Sequence, residues 1–498
     1  MEPTLSALLL ASPLLTAPIG LLRKMLPTLG DILGLVATFR SGSIDSTTAF
    51  EFETRLETLQ RELGRRIMEW TFNSFEPDER AAMPRELRFE GETYRRAKKS
   101  PRRYPIATLF GPIELVRFLY RPWSPGERSI FPLEINLGIE QGVATPALAL
   151  RVGWLAAEMT QQQTLECLQR DHGVHWSVET LRKVTAAISA SLNEQRHDVQ
   201  VARLLDLLKQ ANESRGSRKI VLSGGRDGVF VPIRKRKQYQ EAATATMAVF
   251  DRRGKRLGTV YLGRMPQPHQ GTLSDQLTSL LVDALERWTG PMPRLCYVTD
   301  AGHHPTEYFR NVLSPMRHPV TNRPLHWEWI IDYYHVCSYV SKMAEAIFGE
   351  GEEAFAWARK MRRWLKNKPN GAYRVLHSAA ALKARFGLHG TSKQFADAYR
   401  YIRERLGYLD YVDCRRRGLP IGSGITEAAC KIVVTWRLKQ SGMKWHIEGG
   451  QTILDLRVLR LSGVWKPARD AYLASKPVIE LHPPTRYEKT AQCLKIAA

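Results

Sequence analysis

The stretch from Arg218 to Val336 most constrains what this chain can fold into. RKIVLSGGRDGVFVPI, EAATATMAVFD and KRLGTVYLGRM are dense in β-branched and small apolar residues and read as three strands, with Asp251, Arg252, Arg253 and Gly254 as a polar turn between the last two. An amphipathic helix follows in TLSDQLTSLLVDALERW. RLCYVTD then reads as a buried strand ending at Asp300, AGHHPTEYFRNVL as a helix, and LHWEWIID as a fifth strand leading into YYHVCSYV. Three strands, helix, strand, helix, strand predict an α/β domain with a mixed five-stranded sheet.

Two of these strands carry an aspartate where chemistry can reach it: Asp227 on the first and Asp300 at the end of the fourth. A third carboxylate belongs to LPIGSGITEAACKIVVTWRLKQSGMKW (Leu419 to Trp445), where Ile425, Ala429, Ile432, Val433 and Trp436 fall at helical spacing behind Gly422 and Gly424. Glu427 therefore sits in a first helical turn, where the helix dipole favours it. Each residue alone has a plain structural reading, since Asp227 precedes Gly228 and Asp300 precedes Ala301 and Gly302 as turn residues do. Together they converge only if the first and fourth strands are neighbours, which is the ribonuclease H arrangement. Three carboxylates in a small volume are costly unless cations neutralise them. Hard divalent ions such as Mg²⁺ take oxygen ligands, and a pair about 3.5–4 Å apart can activate the attacking oxygen and stabilise the leaving oxygen of an in-line phosphoryl transfer. Asp227 would bridge the two ions.

Charge names the partner class. The 498 residues hold 73 Lys and Arg against 50 Asp and Glu, a formal net charge of +23, so a polyanion is expected and nucleic acid fits best. The basic residues cluster in YRRAKKSPRRY, IRKRK, RKMRRWLKNK and RRR. Six scattered cysteines without a CxxC pair argue against a zinc ribbon or a disulfide framework and suit a reducing cytoplasm. The apolar N-terminus has Glu2 where a signal peptide carries basic residues and is interrupted by prolines, so it reads as short packing or assembly helices. No apolar run reaches membrane-spanning length.

In chain order, residues 1–85 read as a helical region and 86–140 as a small β module of short strands studded with Arg and Lys. Residues 141–215 read as helices again. There TQQQTLECLQRDHG and WSVETLRKVTAAISASL, joined by the turn Gly173 to Trp176, match a helix-turn-helix or an ordinary helical hairpin. In the first reading Ser177, Glu179, Thr180, Arg182 and Lys183 face the major groove. Residues 216–337 form the first part of the catalytic core and 338–418 a basic all-helical insertion. The core's final helices are expected over 419–465, and 466–498 as a Pro-rich, loosely ordered tail.

GGRDGVFVP, YVTDAGHH, DYYH and PIGSGITEAACKIVVTWRLKQSGMKW together resemble the DDE transposases of bacterial insertion sequences, and most closely the group called the ISKra family. The resemblance covers about residues 210 to 465, and its final motif is the most specific part. It implies an RNase H-like catalytic domain with Asp227, Asp300 and Glu427 as catalytic triad and ligands of two Mg²⁺ ions, Mn²⁺ being able to substitute. It further implies cleavage at terminal inverted repeats, joining of the freed 3′-hydroxyl to target DNA, a homodimer or higher oligomer on DNA, and a nucleoid-associated place in the bacterial cytoplasm. Asp332 and His335 match the D-x-x-H pattern of related transposases, which implies DNA contact or ordering of the active site, while a structural histidine is the alternative. Relatives carry paired cysteines near the β module; this chain has none there, so zinc is not carried over.

After Glu427, Lys431, Arg437, Lys439 and Lys444 alternate with Trp436 and Trp445, a mixture suited to backbone contacts and to stacking on unpaired bases. Arg437 and Lys439 are the best candidates, and Trp436, on the apolar face, reads as core. Two competing readings are a transposase-derived DNA-binding regulator without catalysis and an RNase H-fold nuclease or resolvase.

Overall fold

The computed structural model describes residues 19–77, 80–124, 128–234, 239–386 and 393–480. They form two compact units, residues 19–188 with 470–480, and residues 189–469.

The first unit opens with α1 (Ile19–Ser41) and α2 (Ser46–Asn73). Most of the apolar N-terminus expected to form packing or assembly helices precedes them, outside the described residues. Asp45 caps α2 by accepting the Thr47 and Thr48 N–H groups at 2.9 Å. No residue of α2 is buried, and its half-buried Met68 and Phe72 pack against a core of Ile106, Ile113, Leu115 and Leu133. The β module follows. β1 (Glu86–Phe89), β2 (Glu92–Arg96), β3 (Arg102–Thr108), β4 (Gly111–Arg117) and β5 (Tyr120–Pro122) make an antiparallel sheet of order β1-β2-β5 and a separate β3-β4 hairpin. Helices α3 (Pro132–Asn136), α4 (Pro146–Glu158), α5 (Gln161–His172) and α6 (Val178–Glu194) come next. Gly173 ends α5 with φ 61°, the left-handed conformation glycine adopts without steric cost, and the Ser177 hydroxyl accepts the Thr180 N–H at 3.1 Å to start α6.

The second unit is built on the predicted sheet. β6 (Val221–Val231), β7 (Gln240–Phe250), β8 (Arg256–Arg264), β9 (Arg294–Thr299) and β10 (Trp327–Ile331) stand in the order β10-β9-β6-β7-β8. The first three pair antiparallel, while β9 runs parallel to both β6 and β10. The first and fourth strands of the pattern are thus neighbours. Helices α7 (Arg196–Glu213) and α8 (Gly271–Arg287) cover the β7–β8 side. In α8, Leu273, Leu277, Leu280, Leu281, Ala284 and Leu285 are buried at i, i+4 and i+7 spacing, and each large side chain buried this way contributes about 1.5–3 kcal/mol. α9 (His303–Tyr308) runs into a π-helical turn (Phe309–Leu313) before β10. Between β10 and Gly424 the chain is helical: α10 (Tyr333–Phe348), α11 (Glu352–Asn367), α12 (Gly371–Arg385), α13 (Lys393–Arg403) and α14 (Tyr411–Arg417). Then come α15 (Gly424–Ala429), a π-helical turn (Cys430–Thr435), one further turn (Trp436–Leu438), and α16 (Ile447–Leu461).

The expectation of a loosely ordered tail fails for its first part. Trp465–Ala474 is a helix, α17, because Ala468 and Tyr472 are apolar at i, i+4 and are buried. The Tyr472 hydroxyl and the Lys476 ammonium both reach the Glu140 carboxylate. Residues 481–498 lie outside the described residues. Among the described residues no helix is long and apolar enough to cross a membrane, and Cys167, Cys296, Cys337, Cys414 and Cys430 are free thiols.

Candidate active site

Strand register brings the aspartates together. β6 and β9 pair from Val221↔Arg294 to Gly224↔Tyr297, and carrying that register on by three residues sets Asp227 alongside Asp300. β9 and β10 pair through Thr299↔Ile331, which sets Asp332 alongside Asp300 in the same way, and the Asp332 N–H donates to the Thr299 carbonyl at 2.8 Å. In-register neighbours share one face of a sheet, and the two-residue period sends Arg226 to the other. There the Arg226 guanidinium lies 4.7 Å over the Tyr308 ring and donates to Ser274 Oγ at 2.8 Å and to Gln270 Oε1 at 3.0 Å.

Glu427 reaches the same place from α15. The Asp227 carboxyl is pushed up from the usual 3.8 to about 6, first by burial and then by the negative charges of Asp300 and Glu427; bonds from the Gly228 N–H and the Cys430 thiol pull the other way. The Gly228 N–H donates at 2.8 Å, and Cys430 Sγ also lies 3.1 Å from Thr244 Oγ1 on β7. Asp300 and Glu427, widely separated in sequence, therefore both sit within electrostatic reach of Asp227.

Close contact between α15 and the sheet depends on small residues. A Cβ at Gly225 would come within 2.2 Å of Thr426 Oγ1, so this glycine lets α15 lie against β6. Thr426 Oγ1 in turn lies 2.9 Å from Thr246 Oγ1, a buried hydroxyl pair joining α15 to β7. Asp332 supplies the remaining support. It is fully buried; Oδ1 accepts the Tyr334 N–H at 2.6 Å to cap α10, and Oδ2 accepts the Ser423 N–H at 3.1 Å. The Ser423 hydroxyl bonds to the same Oδ2 and lies 2.7 Å from Glu427 Oε1. Asp332 and Ser423 together hold the residue that carries the third carboxylate.

Asp300 is held by its backbone. Its Oδ1 accepts the Gly302 N–H at 2.9 Å, Ala301 takes a left-handed φ of 63°, and the Tyr401 hydroxyl of α13 donates to the Asp300 carbonyl at 2.7 Å. The Tyr401 ring stacks on Tyr339 at 3.9 Å between centroids, and the half-buried His335 ring packs edge-on against both. His335, a candidate DNA contact, is thereby placed in an aromatic cluster behind Asp300.

The two residues after the π-helical turn exchange the expected roles. Trp436, read as core, is 65% exposed, and Arg437, read as a DNA contact, is 1% exposed with its guanidinium 5.2 Å from the Trp445 ring centroid. The cause is the turn Cys430–Thr435. Its i→i+5 bonding accommodates about one residue more than α-helical turns do, which rotates every later position out of the 3.6 period. Lys439 and Lys444 are exposed. So are Arg182 and Lys183 on α6, where Arg182 donates to Gln161 Oε1 at 3.0 Å and Lys183 pairs with Glu179 at 2.8 Å. Such surface pairs are worth under about 1 kcal/mol.

Ser423, Gly225, Thr426, Cys430 and Tyr401 escape a reading of the sequence. Ser423 has a usable signal, four residues before Glu427 and so on its helical face; Tyr401 has none, because its contact with Asp300 spans 101 residues. Among the described residues, the group whose metal-binding atoms all lie within 4.8 Å of one another is His303, His304 and Glu307 at the start of α9, and the three carboxylates are spaced more widely than that. Comparison with protein-family models and with curated proteins found no match.

Proposed function

We propose that the chain is a DDE-type transposase whose second unit is an RNase H-like catalytic domain, interrupted between β10 and α15 by a helical insertion. One observation carries the reading: the register of β6, β9 and β10 sets Asp227, Asp300 and Asp332 side by side, and Asp332 through Ser423 brings Glu427 on α15 to the same edge of the sheet. The strand order and the +23 charge support it as well.

The donor set suits Mg²⁺, being three carboxylates whose mutual repulsion a divalent cation would relieve, and a hard cation prefers their oxygens to the soft sulfur of nearby Cys430. Asp227, Asp300 and Glu427 would hold two Mg²⁺ ions, or Mn²⁺, which when bound supply Lewis acidity toward both the attacking and the leaving oxygen of a DNA phosphodiester. The chain's own groups do the positioning. The β6–β9 register fixes Asp227 against Asp300, Tyr401 holds the Asp300 backbone, and Asp332 through Ser423 orients Glu427. Arg182 and Lys183 on α6 would contact the terminal repeat as part of a helix-turn-helix, and Lys439 and Lys444 the strand near the cut. On this reading the protein works as a homodimer or higher oligomer bound to two element ends in the bacterial nucleoid.

The test is a labelled element-end duplex incubated with the protein, Mg²⁺ and target DNA. Wild type should cut the end and join it to target, and Asp227→Asn, Asp300→Asn and Glu427→Gln should do neither while still binding. Binding without cutting by wild type would leave a regulator. Cutting without joining would leave a nuclease or resolvase of the same fold.

A further inference from the structure

The helix that carries Glu427 continues as an exposed stripe. Along its length Glu427, Ala428, Lys431, Trp436, Lys439 and Gln440 are exposed, while Ala429, Cys430, Val433, Val434, Arg437 and Leu438 are buried. The stripe therefore starts at a carboxylate of the candidate active site and runs through a cation, an indole and a second cation. Leaving an indole in water forgoes the free energy its burial would give, and every other large apolar side chain on this segment is buried or half-buried. The buried Arg437 makes the same point from the other side, because the π-helical turn sends the arginine inward and the tryptophan outward.

We propose that Trp436 is a stacking platform for an unpaired base of the DNA strand whose backbone passes Glu427, with Lys431 and Lys439 on the phosphates to either side. The proposal rests on the nucleic-acid reading above and adds the strand's path. At a rise of about 1.5 Å per residue, Trp436 lies roughly 13 Å along the helix from Glu427. That is about four nucleotides of stacked strand at roughly 3.4 Å each. An indole flanked by two ammonium groups complements a base flanked by two phosphates, and such stacking is indifferent to sequence.

The test uses the full-length protein without metal and a single strand of about 20 nucleotides, longer than one site of this kind needs, with 2-aminopurine placed in turn at successive positions, its fluorescence falling when it stacks. Wild type should quench the probe, and Trp436→Ala should abolish the quenching and weaken binding by about fivefold to a hundredfold. Trp436→Phe should retain most of both. Lys431→Ala and Lys439→Ala should each lower the salt dependence of binding by a slope of about 0.7 without removing the quenching. Trp123→Ala, which removes another exposed tryptophan in the first unit, should change nothing. If Trp436→Ala binds and quenches as wild type does, the platform is refuted even when the protein cuts and joins DNA. If quenching depends on Trp436 but wild type neither cuts nor joins, the platform stands and the catalytic reading falls.

Discussion

The three carboxylates reach one place by two different constructions. Asp227 and Asp300 are delivered by adjacent parallel strands, where ladder hydrogen bonds fix the register and the two-residue period fixes the face. Glu427 is delivered by a helix of six residues that enters a π-helical turn and is held by side chains: Ser423 on Asp332, Thr426 on Thr246, and the space left at Gly225. A site built on a ladder survives the loss of a single side chain. One built on a few side-chain contacts is easier to misplace, and the two halves should answer mutation differently.

The largest expected effect falls on both halves alike. Asp227→Asn, Asp300→Asn or Glu427→Gln should each lower DNA cleavage by about a thousandfold or more, since a lost ligand forfeits several kcal/mol of transition-state stabilisation. Single-turnover cleavage measures it.

Next is a pH effect confined to the strand half. With its pKa raised from 3.8 to about 6, Asp227 is better accommodated protonated in the folded, metal-free protein. Its favourable contribution is complete below about pH 4 and is lost as the pH rises through about 6, a change of up to about 3 kcal/mol. Asp227→Asn should lack that step, so denaturant titrations of the two proteins between about pH 4 and pH 7 should diverge as pH rises, the variant gaining on wild type. Saturating Mg²⁺ should shrink the difference by stabilising wild type alone.

Packing comes third and belongs to the helix half. Gly225→Ala sets a methyl against Thr426 Oγ1 and should cost about 1–3 kcal/mol of stability. The double variant with Thr426→Ser keeps the clashing hydroxyl and should recover little, whereas Gly225→Ala with Thr426→Ala should recover part of the loss, because it relieves the clash but breaks the Thr426–Thr246 hydroxyl pair. Thermal unfolding of the set decides.

The smallest effects are those of single hydrogen bonds. Ser423→Ala, which frees Glu427, and Tyr401→Phe, which frees the Asp300 carbonyl, should each cost about 1 kcal/mol, or roughly fivefold in the Mg²⁺ concentration at half-maximal rate. Of the two, Ser423→Ala should have the larger effect, because no ladder holds Glu427. A larger shift for Tyr401→Phe would reverse the comparison.

The same contrast explains what is legible in the sequence. The five strands and the positions of Asp227 and Asp300 follow from β-branched runs and a period of two, whereas the strand order is made by pairing in three dimensions, the neighbouring first and fourth strands being required only if the aspartates converge. Glu427 and its first turn are equally readable. Trp436 and Arg437 exchange places because the 3.6 period does not carry through Cys430–Thr435, where a π-helical turn breaks it, and nothing in KIVVT announces such a turn. Tyr401 and Gly225 act through contacts made only in three dimensions. α17 is hidden in the sequence by the prolines beyond it, which mask the i, i+4 pair Ala468 and Tyr472.

The central claim is that Asp227, Asp300 and Glu427 form one divalent-metal centre, and calorimetric titration of the full-length protein with Mn²⁺ at neutral pH tests it most directly. Wild type should bind Mn²⁺; Asp227→Asn, Asp300→Asn and Glu427→Gln should each weaken that binding severely, and a His303→Ala, His304→Ala double variant should leave it intact. Binding that survives all three carboxylate substitutions but disappears with the two histidines would move the metal to the start of α9 and contradict the account.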